Sequence, residues 1–291
     1  MSRYVPRHAR ATGAPGPSRP DSDRPASAAD DVPSSSSASS GSRGSASRRS
    51  LLRGGAVGVS ALTVGGLSMT PALAAPAGIP GQDVSSYQGR IDWKAQMAEG
   101  SRYAFIKATE GRTWHSDTFN QQYTSASSAG IIRGAYHFGR PDSGDPETQC
   151  EAFLNGGGGW SDDGRTLPGM LDMESVDGVP ADFGLSQQEL RSWISGFIAS
   201  YRKAVGRRPM VYTNAHWWDT VVGDYAPAHT PLQIARYSSS KPTDLPGRWW
   251  DWDMWQHSAS GPFAGDSSVF QGGESSFTSF VGDAGYTPRG I

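Results

Sequence analysis

Two carboxylic acids stand one residue apart in Pro168-Gly169-Met170-Leu171-Asp172-Met173-Glu174. The stretch reads as a buried strand. Side chains on a strand alternate faces, so Asp172 and Glu174 point the same way. Their Cα atoms then lie about 6.5–7 Å apart, twice the rise per residue. Two acids so close cannot both ionise freely. One is pushed toward its protonated form while the other stays charged, and cleavage of a glycosidic bond uses that division. A D-x-E triplet also arises by accident, as a helix cap or as a loop pair that binds nothing. The surrounding elements decide between these.

Those elements alternate between strand and helix. Gly81 to Tyr87 reads as a first strand ending at Asp83, followed by a brief helix from Ile91 to Glu99. Tyr103 to Ala108 is a second strand, apolar on both faces as a strand covered on both sides is. Phe119, Tyr123 and Ala126 recur at helical spacing with Gly130 as the stop. Ile131 to Phe138 makes a third strand. Asp145-Pro146-Glu147 starts a helix that runs to Leu154, and Asn155 with Gly156–Gly159 ends it in a flexible loop. The fourth strand carries the paired acids. Ser186-Gln187-Gln188-Glu189 is a capping box. Behind it Leu190, Trp193, Ile194, Phe197, Ile198 and Tyr201 form an apolar stripe closed by Gly206. Strands five, six and seven are Pro209–Thr213, Leu232–Tyr237 and Trp252–His257, and a further extended piece lies near Phe263–Asp266. Such alternation implies parallel βαβ units. About eight strands in some 215 residues imply an α/β barrel rather than an open sheet. With little helix expected after strand five, the barrel is irregular, helix-rich early and helix-poor late.

In a parallel barrel the chemistry gathers at the C-terminal ends of the strands. That rule puts Asp83, Tyr136, Phe138, Asp172, Glu174, Tyr212, Tyr237 and Gln256 on one rim, with Asp266 after the last extended piece. Each alone has an ordinary explanation: Asp83 as a turn cap, Asp266 as a loop acid, Tyr136 as core. Their shared address favours a site. His137 points away from Tyr136 and reads as a satisfied core histidine.

Several motifs appear in order: Asp83-Val84-Ser85-x-x-Gln88 with Ile91-Asp92-Trp93, Phe105-Ile106-Lys107-Ala108-Thr109-Glu110-Gly111, Gly134-Ala135-Tyr136-His137-Phe138, Leu171-Asp172-Met173-Glu174 and Trp255-Gln256-x-Ser258. Together they resemble the glycoside hydrolase family 25 lysozymes, the N-acetylmuramidases, over residues 79–283. The resemblance implies an irregular β/α barrel of five β/α units followed by three strands. It implies hydrolysis, with no metal or organic cofactor, of the β-1,4 bond from N-acetylmuramic acid to N-acetylglucosamine in peptidoglycan. Glu174 is then the proton donor and Asp172 its partner, with Asp83 and Asp266 as the other acids of the site. Tyr136, Phe138, Tyr212, Tyr237 and Gln256 are candidates for holding the sugars. The closeness of the two acids favours retention, with the substrate's own acetamido group assisting. The chain departs from the family pattern at Gln233, where tryptophan is usual and a packing or stacking contact is expected to be lost. His257 stands where tyrosine is usual, and Gly265-Asp266-Ser267-Ser268 is a loose match around the last acid. A non-catalytic peptidoglycan-binding barrel and a chitinase-like acetamido-sugar hydrolase are the competing readings. The chitinase-type run D-x-x-D-x-D-x-E is absent, since Gly169, Met170 and Leu171 precede Asp172.

Composition narrows the partners. Residues 1–74 hold 9 Lys/Arg and 4 Asp/Glu, whereas residues 75–291 hold 17 and 24. An acidic body is a poor match for nucleic acid or an anionic surface. The one cysteine, Cys150, excludes an internal disulfide, and no Cys/His spacing resembles a zinc site. All ten tryptophans and nine of the ten tyrosines fall in the acidic body, which suits a large core or a sugar-stacking groove. No internal repeat is visible, so residues 75–291 read as a single catalytic domain, which is expected to be a monomer. Residues 1–46, rich in Ser, Pro, Ala, Gly and Arg, are expected to be disordered. Ser47-Arg48-Arg49-Ser50-Leu51-Leu52-Arg53, the apolar run Gly54 to Met69 and Pro71-Ala72-Leu73-Ala74 resemble a twin-arginine export signal over 47–74, cut after Ala74. The apolar run, about 16 residues, is too short to span a bilayer. A secreted barrel with no membrane association after the cut, acting on peptidoglycan glycan strands, is the expectation.

Overall fold

The computed structural model describes residues 76–290. The extension expected over 1–46 and the export signal expected over 47–74 lie outside the described residues. The elements follow in the order β1 (Ile79–Val84), α1 (Trp93–Ala98), β2 (Tyr103–Glu110), β3 (Trp114–His115), α2 (Phe119–Ala129), β4 (Ile132–Phe138), α3 (Pro146–Asn155), β5 (Met170–Asp172), α4 (Gln187–Val205), β6 (Met210–Thr213), α5 (Ala215–Val221), β7 (Leu232–Ala235), β8 (Met254–Ser258), β9 (Asp266–Phe270) and α6 (Glu274–Gly282). Strands β1-β2-β4-β5-β6-β7-β8-β9 close on themselves into an eight-stranded barrel, to which β3 adds a short hairpin on β2. Neighbours from β1 to β8 run parallel. Among the barrel strands only β9 runs the other way, antiparallel to both β8 and β1. Helices α1 to α5 each follow a strand, and β7, β8 and β9 then close the ring without helices between them. This is the arrangement of five β/α units and three strands that the family resemblance implies.

Local chemistry sets the helix ends. Ser186 Oγ accepts from Glu189 N while Glu189 Oε2 accepts from Ser186 N, so two otherwise orphaned donors at the start of α4 are satisfied. All six apolar residues of its stripe are buried. Asp145 accepts from Thr148 N ahead of α3, and Asn214 Oδ1 accepts from Trp217 N ahead of α5. Helix α5 was not expected, because seven residues give too short a window for a 3.6-residue period to stand out. Helix α6 has no side-chain cap, which hides its start. The glycine run after α3 is not loose. Gly157, Gly158 and Gly159 are buried, and a Cβ at Gly158 would sit 2.3 Å from the Phe153 ring. Absence of side chains is what lets Phe153 and Tyr201 close over that backbone.

Two apolar layers follow from strand alternation. Tyr103, Phe105, Met170, Met210, Met254 and Phe270 fill the barrel interior. Ala104, Ile106, Leu171, Met173 and Val211 face outward into the layer that holds Phe153, Trp193, Phe197 and Tyr201, and Trp255 packs outside β8 against Trp252. Helix α6 shuts the end where the parallel strands begin. Phe277 lies 5.5 Å from Tyr103 and 5.1 Å from Phe270, ring centre to ring centre, and Phe280 lies 5.3 Å from Phe270. Buried Arg207 donates to the carbonyls of Phe280 and Val281 and lies 4.9 Å from the Trp160 ring. The barrel therefore has an aromatic floor and one open rim.

Candidate active site

The rim is built from strand ends. Asp83 is the penultimate residue of β1 and lies opposite Asp266 in the ladder. The eighth extended piece was expected to end at Asp266, but Asp266 begins β9. The acid still reaches the rim, because an antiparallel strand starts where its parallel neighbours finish. Asp172 closes β5, in register with Phe138 and Tyr212. The ladder ends there, so Glu174 lies two residues past the strand rather than within it. The alternation nevertheless continues, with Met173 buried in the helix-side layer and Glu174 back at the rim. All four acids line one cavity of about 300 Å³, together with Lys107, Tyr136, Phe138, Met170, Tyr212, Gln256 and the exposed Tyr87. Tyr237, expected at a strand end, stands two residues past β7 and is 60% exposed.

Hydrogen bonds fix the parts of the rim. Asp83 Oδ2 accepts from Gln233 Nε2 at 2.7 Å, Gln256 Nε2 at 2.9 Å and Ser268 Oγ at 2.9 Å. Gln256 Oε1 in turn accepts from the hydroxyls of Tyr212 at 2.9 Å and Tyr237 at 3.1 Å. Gln233 thus makes a polar contact where the sequence suggested only a lost aromatic one. Asp83 Oδ1 and Asp172 Oδ1 are buried with no partner. Tyr136 and Phe138 reach the cavity because β4 alternates, and the same alternation turns His137 into the core. There its ring bonds Thr109 Oγ1 at 2.8 Å and Gln149 Oε1 at 3.0 Å and stacks on Phe197.

The sequence model described as "Glycosyl hydrolases family 25" matches residues 82–266. The chain belongs to glycosyl hydrolase family 25. Curated relatives include an N,O-diacetylmuramidase of Arthroderma benhamiae, 45% identical over 197 residues that cover 67% of this chain and 83% of the relative. Lysozyme M1 of Streptomyces globisporus is 43% identical over 192 residues, 65% of each chain. Among solved structures, a family GH25 lysozyme from Aspergillus fumigatus superposes with a TM-score of 0.68 at 41% identity, covering 70% of this chain and 98% of that one. A lysozyme from Streptomyces coelicolor superposes with a TM-score of 0.66 at 37% identity, covering 72% and 100%. The protein is a glycoside hydrolase of lysozyme type.

The rim is electrostatically crowded. Burial raises the Asp83 carboxyl from its ordinary 3.8 to about 6, against the pull of its bonds to Gln256, Ser268 and Gln233. Burial pushes Asp172 well above the usual carboxylate range, and the Glu174 charge adds to it. Glu174 is also raised, by burial first and then by Asp266. The pair therefore holds a proton beyond the pH at which free carboxyls lose it. Lys107 works in the opposite direction, lowering both Asp172 and Glu174. Its ammonium lies 2.7 Å from Glu110 and 4.6 Å from the Phe138 ring centre, and Glu110 is shared with Arg140 at 3.0 Å. Sequence reasoning missed Lys107, Gln233 and Ser268. Alternation from Tyr103 and Phe105 puts Lys107 inside the barrel and was a usable signal. Nothing local in the sequence announces Gln233 or Ser268.

Proposed function

We propose that this chain cleaves the β-1,4 bond between N-acetylmuramic acid and N-acetylglucosamine in peptidoglycan, with Glu174 as general acid. The observation that carries the reading is the convergence of Asp83, Asp172, Glu174 and Asp266 on one cavity where burial keeps carboxyls protonated. Relatives named lysozyme and N,O-diacetylmuramidase support the choice of bond. In the first step Glu174 gives its proton to the leaving oxygen as the glycosidic C–O bond breaks. The carbonyl oxygen of the substrate's 2-acetamido group attacks the anomeric carbon and forms a cyclic oxazolinium ion. Burial favours the neutral form of Asp172 in the free enzyme; the acetamido N–H, donating to its unpartnered oxygen, favours the carboxylate, which leaves the pair's proton on Glu174 and balances the positive ring. Water then opens the ring, with Glu174 taking back a proton, and the configuration is retained. The charge of Asp266 favours protonated Glu174, and that of Asp83 bears on Asp172. Tyr136, Phe138, Tyr212 and Tyr237 contact the sugars, with Gln256 beside them. A trapped covalent sugar ester on Asp172 or Asp83 would refute acetamido assistance.

The enzyme works as a monomer, exported by the twin-arginine-type signal over 47–74 and cut after Ala74. Among the described residues no helix is long and apolar enough to cross a membrane. The deciding experiment is digestion of purified peptidoglycan by the chain and by Glu174→Gln, with mass analysis of the released ends. Muramic acid at new reducing ends, reduced about 10²–10⁴-fold in the variant, is the expected result. Wall binding by both proteins with no new ends would overturn the reading.

A further inference from the structure

Gln233 is not used by the mechanism above, yet its position is unusual. It sits in the middle of β7, fully buried, and its amide is set in an interior otherwise filled by Tyr103, Phe105, Met170, Met210 and Met254. A buried amide in such a layer costs stability unless it is bonded. The Gln233 side-chain oxygen has no partner at all. Its nitrogen donates to Asp83 Oδ2 at 2.7 Å, with Ser268 Oγ 3.4 Å away. Strands β7 and β1 are not neighbours in the sheet, since β8 and β9 lie between them. The bond therefore bridges elements that no backbone ladder joins.

Three donors from three consecutive strands fall on the same oxygen of Asp83: Gln233 from β7, Gln256 from β8 and Ser268 from β9. The other oxygen is left without a partner. Gln256 has its orientation set separately, because its carbonyl accepts from Tyr212 and Tyr237. The Gln233 carbonyl has no such anchor, and its amide serves only Asp83 and, at 3.4 Å, the Ser268 hydroxyl that also donates to Asp83. We infer that Gln233 is a positioning residue for Asp83, locking one carboxylate oxygen across the barrel so that the other is free for the reaction; this rests on Asp83 belonging to the catalytic site, as proposed above. Packing alone does not explain the residue, since an apolar side chain of the same length would fill the layer without an orphaned oxygen.

The charged and titratable groups around Asp83 are Asp266 across the β1–β9 ladder, Tyr103 and Lys107 on β2, Tyr136 on β4, Asp172 and Glu174 at the end of β5, Tyr212 on β6 and Tyr237 after β7. Asp266 already disfavours charge on Asp83, so the donors on Oδ2 are what oppose burial. The test labels aspartate at Cγ in the full chain and follows the Asp83 signal by NMR against pH. The signal is assigned by its loss in Asp83→Asn. Gln233→Met keeps the length of the side chain and removes the donor. Gln233→Glu keeps the shape and replaces a donor by an acid, and serves if the methionine variant fails to fold. Both should raise the Asp83 midpoint, the first by about one pH unit. The acid limb of kcat should move up with it, with a fall of about tenfold on that limb and KM little changed. An Asp83 midpoint unchanged in a folded variant, with only the melting temperature lowered, would overturn the inference. Wild-type chain that releases no muramic ends would refute the proposed activity instead, while the titration still decides whether Gln233 governs Asp83.

Discussion

Replacing Asp83 by asparagine should make the protein more stable at neutral pH and not at acidic pH. The folded carboxyl titrates near 6 instead of 3.8, because burial outweighs three hydrogen bonds. Between those values the fold keeps a proton that the unfolded chain has already released. The group's favourable contribution is thus fully present below pH 3.8 and is lost as pH rises through about 6. Above that, holding the charge costs the fold about 3 kcal/mol relative to the neutral form. Asparagine is never charged. Its carbonyl can accept from Gln233, Gln256 and Ser268, and its amide nitrogen takes the place of Oδ1, which has no partner. Allowing about 1 kcal/mol for imperfect geometry, a gain of about 2 kcal/mol remains, or roughly 4–8 °C in Tm for a domain of this size. Thermal unfolding of wild type and Asp83→Asn at pH 4 and pH 7.5 reads it out. The gain should appear at the higher pH and vanish at the lower. An equal gain at both would mean that the gain does not come from the charge, and a less stable variant at pH 7.5 that the cradle of donors has overcome burial; either would refute the reasoning.

His137 gives the opposite slope. Burial holds its ring near 4 instead of 6.5, so its contribution is present above pH 6.5 and lost as pH falls through about 4, some 3 kcal/mol in all. His137→Phe should lower stability at pH 7, by orphaning Thr109 and Gln149, yet flatten the acid loss over that window; urea unfolding at several pH values checks it. Lys107→Met removes the ammonium that lowers Asp172 and Glu174. Both limbs of the pH–rate profile should then move to higher pH, by about half to one unit, and a profile that stays put would count against Lys107 as a tuner of the pair.

Much of this was legible in the sequence wherever a short-range period carried it. The stripe from Leu190 to Tyr201 and its Ser186–Glu189 box set α4 to within a residue. Alternation placed Asp172 and Glu174 on one face even though the ladder stops between them. Where structure depended on a distant partner, the sequence was silent. Segment Asp266–Phe270 begins with Asp-Ser-Ser, and only its pairing with β1 and β8 makes it a strand. Helix α6 earns its place through Tyr103 and Phe270, not through a cap. Gln233 reads as a missing tryptophan until the chain is folded and Asp83, 150 positions away, comes within 2.7 Å.

The floor beneath the barrel has a practical side. Residue 76 leads directly into the start of β1, and the last described residues run back beside the approach to β8, where Trp250 N donates to Gly290 O and the Tyr286 hydroxyl donates to Asp253. Both ends of the described chain thus leave on the α6 side, with the four acids on the opposite face. A linker, bead or fused module attached at either end would hang the enzyme mouth-outward. Immobilised preparations should keep their access to a polymer as large as a cell wall, whichever end is anchored.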